Sequence, residues 1–193
     1  MRKRIKGLIA IIVAFLIVYQ WFPYSVTHAV DIWPGNTVTV TEDESDTDYT
    51  IYGSGGELNI KSGGAIQSVE VHANTDSLNE SKITVEEGGT IQGTATLYEG
   101  AIMETAGNVA LLDSKGDLTI TGGEIGTLNV TAGSITVDGS VSVANAVINV
   151  PLTGSGSMSV TGNLEYGSDT VGTVPINVQK TTTISSSSVD LPV

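Results

Sequence analysis

The chain of 193 residues contains no cysteine, which removes any disulfide framework and any thiolate metal site. Its core and backbone ladder must therefore hold it together unaided. Aromatic residues are only 5 per cent of the chain. Arginine occurs only at Arg2 and Arg4, and after Lys6 the basic side chains are Lys61, Lys82, Lys115 and Lys180. All 21 acidic residues lie at or beyond Asp31. Removal of residues 1–29 would leave four lysines against 21 acids, a formal charge of −17. Binding to nucleic acid requires lysine and arginine to neutralise phosphates, so that function class is excluded. Anionic lipid surfaces are disfavoured for the same reason, and no membrane contact is expected beyond the N-terminal segment. No stretch after residue 30 carries a sustained 3.6-residue apolar stripe with caps, so no helix is expected there.

Residues 1–29 read as a targeting segment. Arg2, Lys3, Arg4 and Lys6 form a basic patch, followed by an unbroken apolar run over residues 8–19. That run has the length of a signal core and falls short of the roughly 20 residues that span a bilayer. Pro23 breaks any helix, and Thr27, His28 and Ala29 surround a plausible cleavage point. An uncleaved anchor is the alternative, with Trp21 and Phe22 at the membrane interface. Both readings place the remainder outside the cytoplasmic membrane, secreted or at the cell surface.

Glycine is abundant, at 23 residues, and it punctuates short alternating segments. The clearest are residues 58–66 (Leu-Asn-Ile-Lys-Ser-Gly-Gly-Ala-Ile) and 83–91 (Ile-Thr-Val-Glu-Glu-Gly-Gly-Thr-Ile), with variants at 118–125, 128–135 and 135–141. Alternation sends the apolar side chains to one face of a strand and Asn, Thr, Lys and Glu to the other. Glycine supplies the tight corners. The spacing predicts an all-β fold, a single-stranded β-solenoid of the right-handed parallel β-helix type, with a β-sandwich as the alternative. Scarce Phe and Trp with plentiful Val and Ile favour the narrow solenoid core. Coils of roughly 20 residues stacked at about 4.8 Å would give a rod of roughly 40 Å. The expected divisions are a leading strand and acidic loop at 30–48, the solenoid at 49–178 and a Ser/Thr-rich tail at 179–193. Trp33 and Pro34 are expected to cover one end of the core.

The pattern Leu-x-Ile-x-Ser-Gly-Gly-x-Ile at 58–66, echoed at 83–91 and 118–125, resembles the glycine-rich repeats of bacterial β-helical surface proteins. The passenger domains of autotransporter adhesins of the AIDA type are one such family. The resemblance spans roughly residues 55–165. It implies a β-helix serving in adhesion or as a scaffold. The chain shows no C-terminal run of amphipathic strands for a membrane barrel. It is therefore expected to be a secreted relative, or part of a longer chain, and not a self-anchoring autotransporter. A weaker similarity is to bactofilins, β-helices that polymerise end to end.

Catalytic chemistry finds little support. His72 is the one histidine outside the targeting segment, and in Val69-Glu70-Val71-His72 alternation puts it beside Glu70 in solvent. Glu86 with Glu87 and Asp113 with Asp117 have the chemistry of paired carboxylates but look like surface acids. Asp43, Asp46 and Asp48 are the candidate calcium ligands, against the reading of a solvated charge run. Asn79 and Asn129 match glycosylation sequons, read as chance matches. No cofactor is expected. The function anticipated is a non-catalytic structural or adhesin-like module with a cell-surface glycan or protein as partner. A self-assembling scaffold and a carbohydrate-active enzyme are the alternatives.

Overall fold

A computed structural model of the chain describes residues 28–72, 80–168 and 172–184. Residues 1–27 of the expected targeting segment, Asn79 and residues 185–193 lie outside the described residues. The chain runs through β1 (His28–Ile32), β2 (Thr37–Val40), β3 (Asp43–Ile51), β4 (Glu57–Ile60), β5 (Ala65–Val71) and β6 (Ser81–Val85). It continues through β7 (Thr90–Leu97), β8 (Ala101–Thr105), β9 (Asn108–Ser114), β10 (Asp117–Ile120), β11 (Glu124–Val130) and β12 (Ile135–Val137). The last strands are β13 (Ser140–Ile148), β14 (Leu152–Thr153), β15 (Ser157–Val160), β16 (Asn163–Tyr166), β17 (Ile176–Val178) and β18 (Thr181–Ile184).

Every pairing among the described residues is parallel, and each strand pairs with the strands one coil before and after it, the end strands with one neighbour only. Even-numbered strands from β2 to β14 form one sheet, and the odd-numbered strands with β16 and β18 form the other. The protein is a β-solenoid of about 8 turns, with no helix among the described residues. The β-sandwich alternative is overturned. A sandwich joins antiparallel neighbours by hairpins, whereas here Thr37 lies opposite Glu57 and Leu118 opposite Ile135, a full coil apart. At about 4.8 Å per coil the stack is about 38 Å long.

The in-register ladder turns alternation into continuous apolar columns. Leu58, Ile83, Met103, Leu118, Ile135 and Leu152 lie above one another, each almost fully buried. Ile32, Ile51, Val71 and Leu97 form another column on the longer strands. Burial alternation lapses midway along those strands, at Gln67–Ser68, Ala110–Leu111, Gly126–Thr127 and Ala144–Asn145. The chain turns a corner there, so the section has three walls. In the last coils the same corner separates β15 from β16 and β17 from β18. A Cβ on Gly126 would sit 2.4 Å from the Ala110 carbonyl oxygen, so position 126 admits only glycine. Gly123 is held at φ +87 with the Gly107 carbonyl oxygen 1.9 Å from where a Cβ would be, for the same outcome.

Three boundaries differ from expectation. The acidic run is not a loop, since β3 begins at Asp43 and pairs Asp43 with Ala65 and Glu44 with Ile66. Backbone pairing tolerates the acids because the Tyr49 hydroxyl donates to Glu44 and the Asp side chains face outward. The strand β1 starts at His28, ahead of the expected boundary, and pairs with Thr47. At the other end β18 lies inside the expected tail, since its threonines suit a strand and its backbone pairs with β16.

Thr47, Ser81, Thr105, Ser114 and Ser168 are buried polar exceptions to the apolar rule, and Thr105 is the one whose hydroxyl is unsatisfied among the described residues. Thr105 stacks between Val85 and Ile120, is 1 per cent exposed, and its Oγ1 has no hydrogen-bond partner. A buried hydroxyl without a partner costs about 1–3 kcal/mol. Thr105→Val is expected to stabilise the protein by about 1 kcal/mol, seen as a higher urea midpoint at unchanged slope. A lower midpoint would show that the hydroxyl contributes to the fold.

Candidate functional site

The residue that follows each early odd-numbered strand is held at one corner by the backbone. The Tyr52 amide donates to the Ile32 carbonyl at 2.9 Å, that of His72 to Ile51 at 3.1 Å, and that of Tyr98 to Val71 at 3.2 Å. Because Ile32, Ile51, Val71 and Leu97 point inward, Trp33, Tyr52, His72 and Tyr98 must point outward. Their rings stack into one external ladder. Centroids lie 5.2 Å apart between Trp33 and Tyr52, 5.1 Å between Tyr52 and His72, and 5.7 Å between His72 and Tyr98. The planes are within 23° of parallel. Each such pair contributes about 0.5–1.5 kcal/mol beyond its area. Trp33 ends the ladder and is 57 per cent exposed. It stacks on a neighbouring coil's corner instead of covering the core end, which corrects the expectation for it. The amide of Lys115 continues the same column by donating to Leu97.

Beside the ladder runs a column of outward side chains, one per coil, in the order Asp31, Thr50, Glu70, Thr96, Asp113 and Asn129. Glu70 joins the two columns. Its Oε1 accepts the Tyr98 hydroxyl at 3.0 Å and lies 3.7 Å from His72 Nε2. That hydrogen bond, with the negative charge of Glu70 behind it, raises the Tyr98 pKa above its ordinary value of 10.0. The other lateral wall is different. There Lys61 pairs with Glu86, and Lys82 with Glu104 at 2.8 Å.

The residues singled out from sequence are spread over the surface. Asp43 Oδ1 accepts the Ser45 amide at 3.0 Å, Asp46 lies 3.5 Å from His28 Nδ1, and Asp48 accepts the Ser68 hydroxyl. Among the described residues no group of three or more His, Asp or Glu side chains could hold a metal ion. Glu86 is engaged by Lys61, Asp117 accepts the Ser134 amide at 2.9 Å, and Asp113 lies on the other sheet from Asp117. His72 does face the Glu70 side, and its place between two tyrosine rings is what sequence reading missed. The signal was a recurring triplet, Asp31-Ile32-Trp33, Thr50-Ile51-Tyr52, Glu70-Val71-His72 and Thr96-Leu97-Tyr98. A cavity of about 690 Å³ at the far end of the core is lined by Val141, Met158, Leu164, Ile176 and Val178 with several hydroxyls, and by no titratable group.

Compared with known proteins, the chain matches no family model, no curated protein and no solved structure.

The Tyr98–Glu70 contact is testable by titration. A raised tyrosine pKa favours the protonated hydroxyl, so its contribution to stability is present below about pH 10 and lost as pH rises through the folded value. Glu70→Gln is expected to move the Tyr98 phenol titration down toward the ordinary range, read by phenolate absorbance against Tyr98→Phe. An unmoved titration would mean that the two groups do not interact in solution.

Proposed function

We propose that this chain is a secreted, non-catalytic β-solenoid of the bacterial cell surface, structural or adhesin-like, acting through its lateral walls on a surface glycan or protein. The observation that carries the reading is the aromatic ladder ending in an exposed Trp33 on an extended wall. Exposed aromatic surface is a common anchor of contact sites. The basic and apolar N-terminal pattern and the resemblance of the glycine-rich repeats to surface β-helices support the same assignment.

Retention of the purified chain on cell-envelope and host-matrix preparations tests it. Binding is expected, with loss on Trp33→Ala and persistence on Trp33→Phe. No retention on any preparation, or release of sugar from polysaccharides by the chain, would refute the proposal.

A second reading rests on the two ends. Among the described residues β1 pairs only with β3, and β18 only with β16, so each terminal strand has one edge without a strand partner. Such edges invite pairing with another copy, head to tail. Light scattering over a concentration series would then show growing mass, with filaments in electron micrographs. A monodisperse monomer would remove this reading.

A further inference from the structure

We infer that the corner ladder and its neighbouring carboxylates form a docking strip for an extended basic polypeptide segment, with arginine or lysine at every third residue. The inference rests on the surface-module reading above and names its ligand class.

Three observations converge on it. The first is the segregation of charge. The described lysine–carboxylate bridges, Lys61 to Glu86 and Lys82 to Glu104, join coils of the even-numbered sheet and the turns that follow its strands. The wall bearing Asp31, Glu70 and Asp113 has no lysine until Lys115, which marks the lower end of the strip. Such acids alone would be an ordinary solvated face, and the ring ladder at their edge is what singles them out.

The second is the state of the rings. Tyr52 and His72 are each stacked between two neighbours, so their faces are turned on one another. A chain of sugars cannot stack on them ring by ring. Trp33 contacts only Tyr52 among the described rings and is 57 per cent exposed, leaving an indole surface for one planar cation. A guanidinium stacks well on indole and pairs bidentately with a carboxylate. Asp31 stands two residues before Trp33 on the same outward side. Glu70 holds the Tyr98 hydroxyl on one oxygen and keeps acceptor capacity on the other.

The third is spacing. Asp31, Glu70 and Asp113 occupy every second coil, with Thr50 and Thr96 between them. Two coils measure about 9.6 Å. A polyproline-type peptide presents every third side chain on one side at intervals of about 9.3 Å. A segment lying along the stack thus keeps three cations in step with three carboxylates.

Fluorescence anisotropy with two labelled peptides of about nine residues tests this. Both have the same composition in a proline-rich host, one with arginine at every third position and one with the arginines adjacent. The spaced peptide is expected to bind the purified chain more tightly than the adjacent one, by about tenfold. Trp33→Ala, and the Asp31→Asn with Asp113→Asn double variant, should each weaken it by a similar factor. Trp33→Phe should retain most of the binding, and Glu86→Gln on the other wall should leave it unchanged. Thermal melting of each variant shows that it is folded. Equal binding of the two peptides, insensitive to Trp33→Ala, would mean diffuse charge attraction and overturn the strip. Trp33-dependent binding of a neutral oligosaccharide, with no peptide binding, would overturn the ligand class. If neither peptide binds while envelope preparations still retain the chain, the basic segment is wrong and the surface reading stands. If retention fails too, both fail.

Discussion

Backbone hydrogen bonds between residues one coil apart hold this chain together: Lys61 to Val40, Glu86 to Ile60, Ala106 to Val85, Thr121 to Thr105 and Asp138 to Ile120, at 2.8–2.9 Å. The bond is local, but its geometry is not forgiving. Parallel strands in register place equivalent residues directly above one another, so any property that recurs along the sequence becomes a continuous line in space. Inside, the lines are aliphatic. At one corner the line is glycine, through Gly89, Gly107 and Gly123, because a Cβ on Gly107 or Gly123 would collide with the carbonyl of the preceding coil.

That constraint also explains what could be read in advance. The Leu-x-Ile and Ile-x-Val segments with their glycine turns announce inward and outward faces without ambiguity, and the buried columns follow them closely. Backbone pairing was less visible where side chains argued against it. The acids of β3 and the threonines of β18 look like solvent-loving linkers, yet outward-facing positions on a strand accept such residues at little cost. Thr105 was hidden for the opposite reason, since its β-branched shape fits the column while its hydroxyl does not.

The aromatic ladder escaped sequence reading because its members are far apart and of three residue types. Trp33, Tyr52, His72 and Tyr98 share a position relative to the end of a strand, not a spacing in the chain. Coil lengths between such positions vary, so no fixed period exposes them. The same register that stacks the core columns stacks these rings, and the adjacent carboxylates fall into line by that route. An external ladder in this fold is thus a by-product of the scaffold's own order, formed wherever one corner repeats a side chain that stacks.

Coils here range from 15 residues, between Met103 and Leu118, to 26, between Val71 and Leu97, yet the walls stay aligned. The strands on either side of these differences stay paired, with register shifts confined to β3, β5 and β7. Such a molecule behaves like a ruler whose graduations are fixed and whose margins are free. Evolution can lengthen it, shorten it or decorate its rim by duplicating or trimming whole rungs, without having to solve a new packing problem each time.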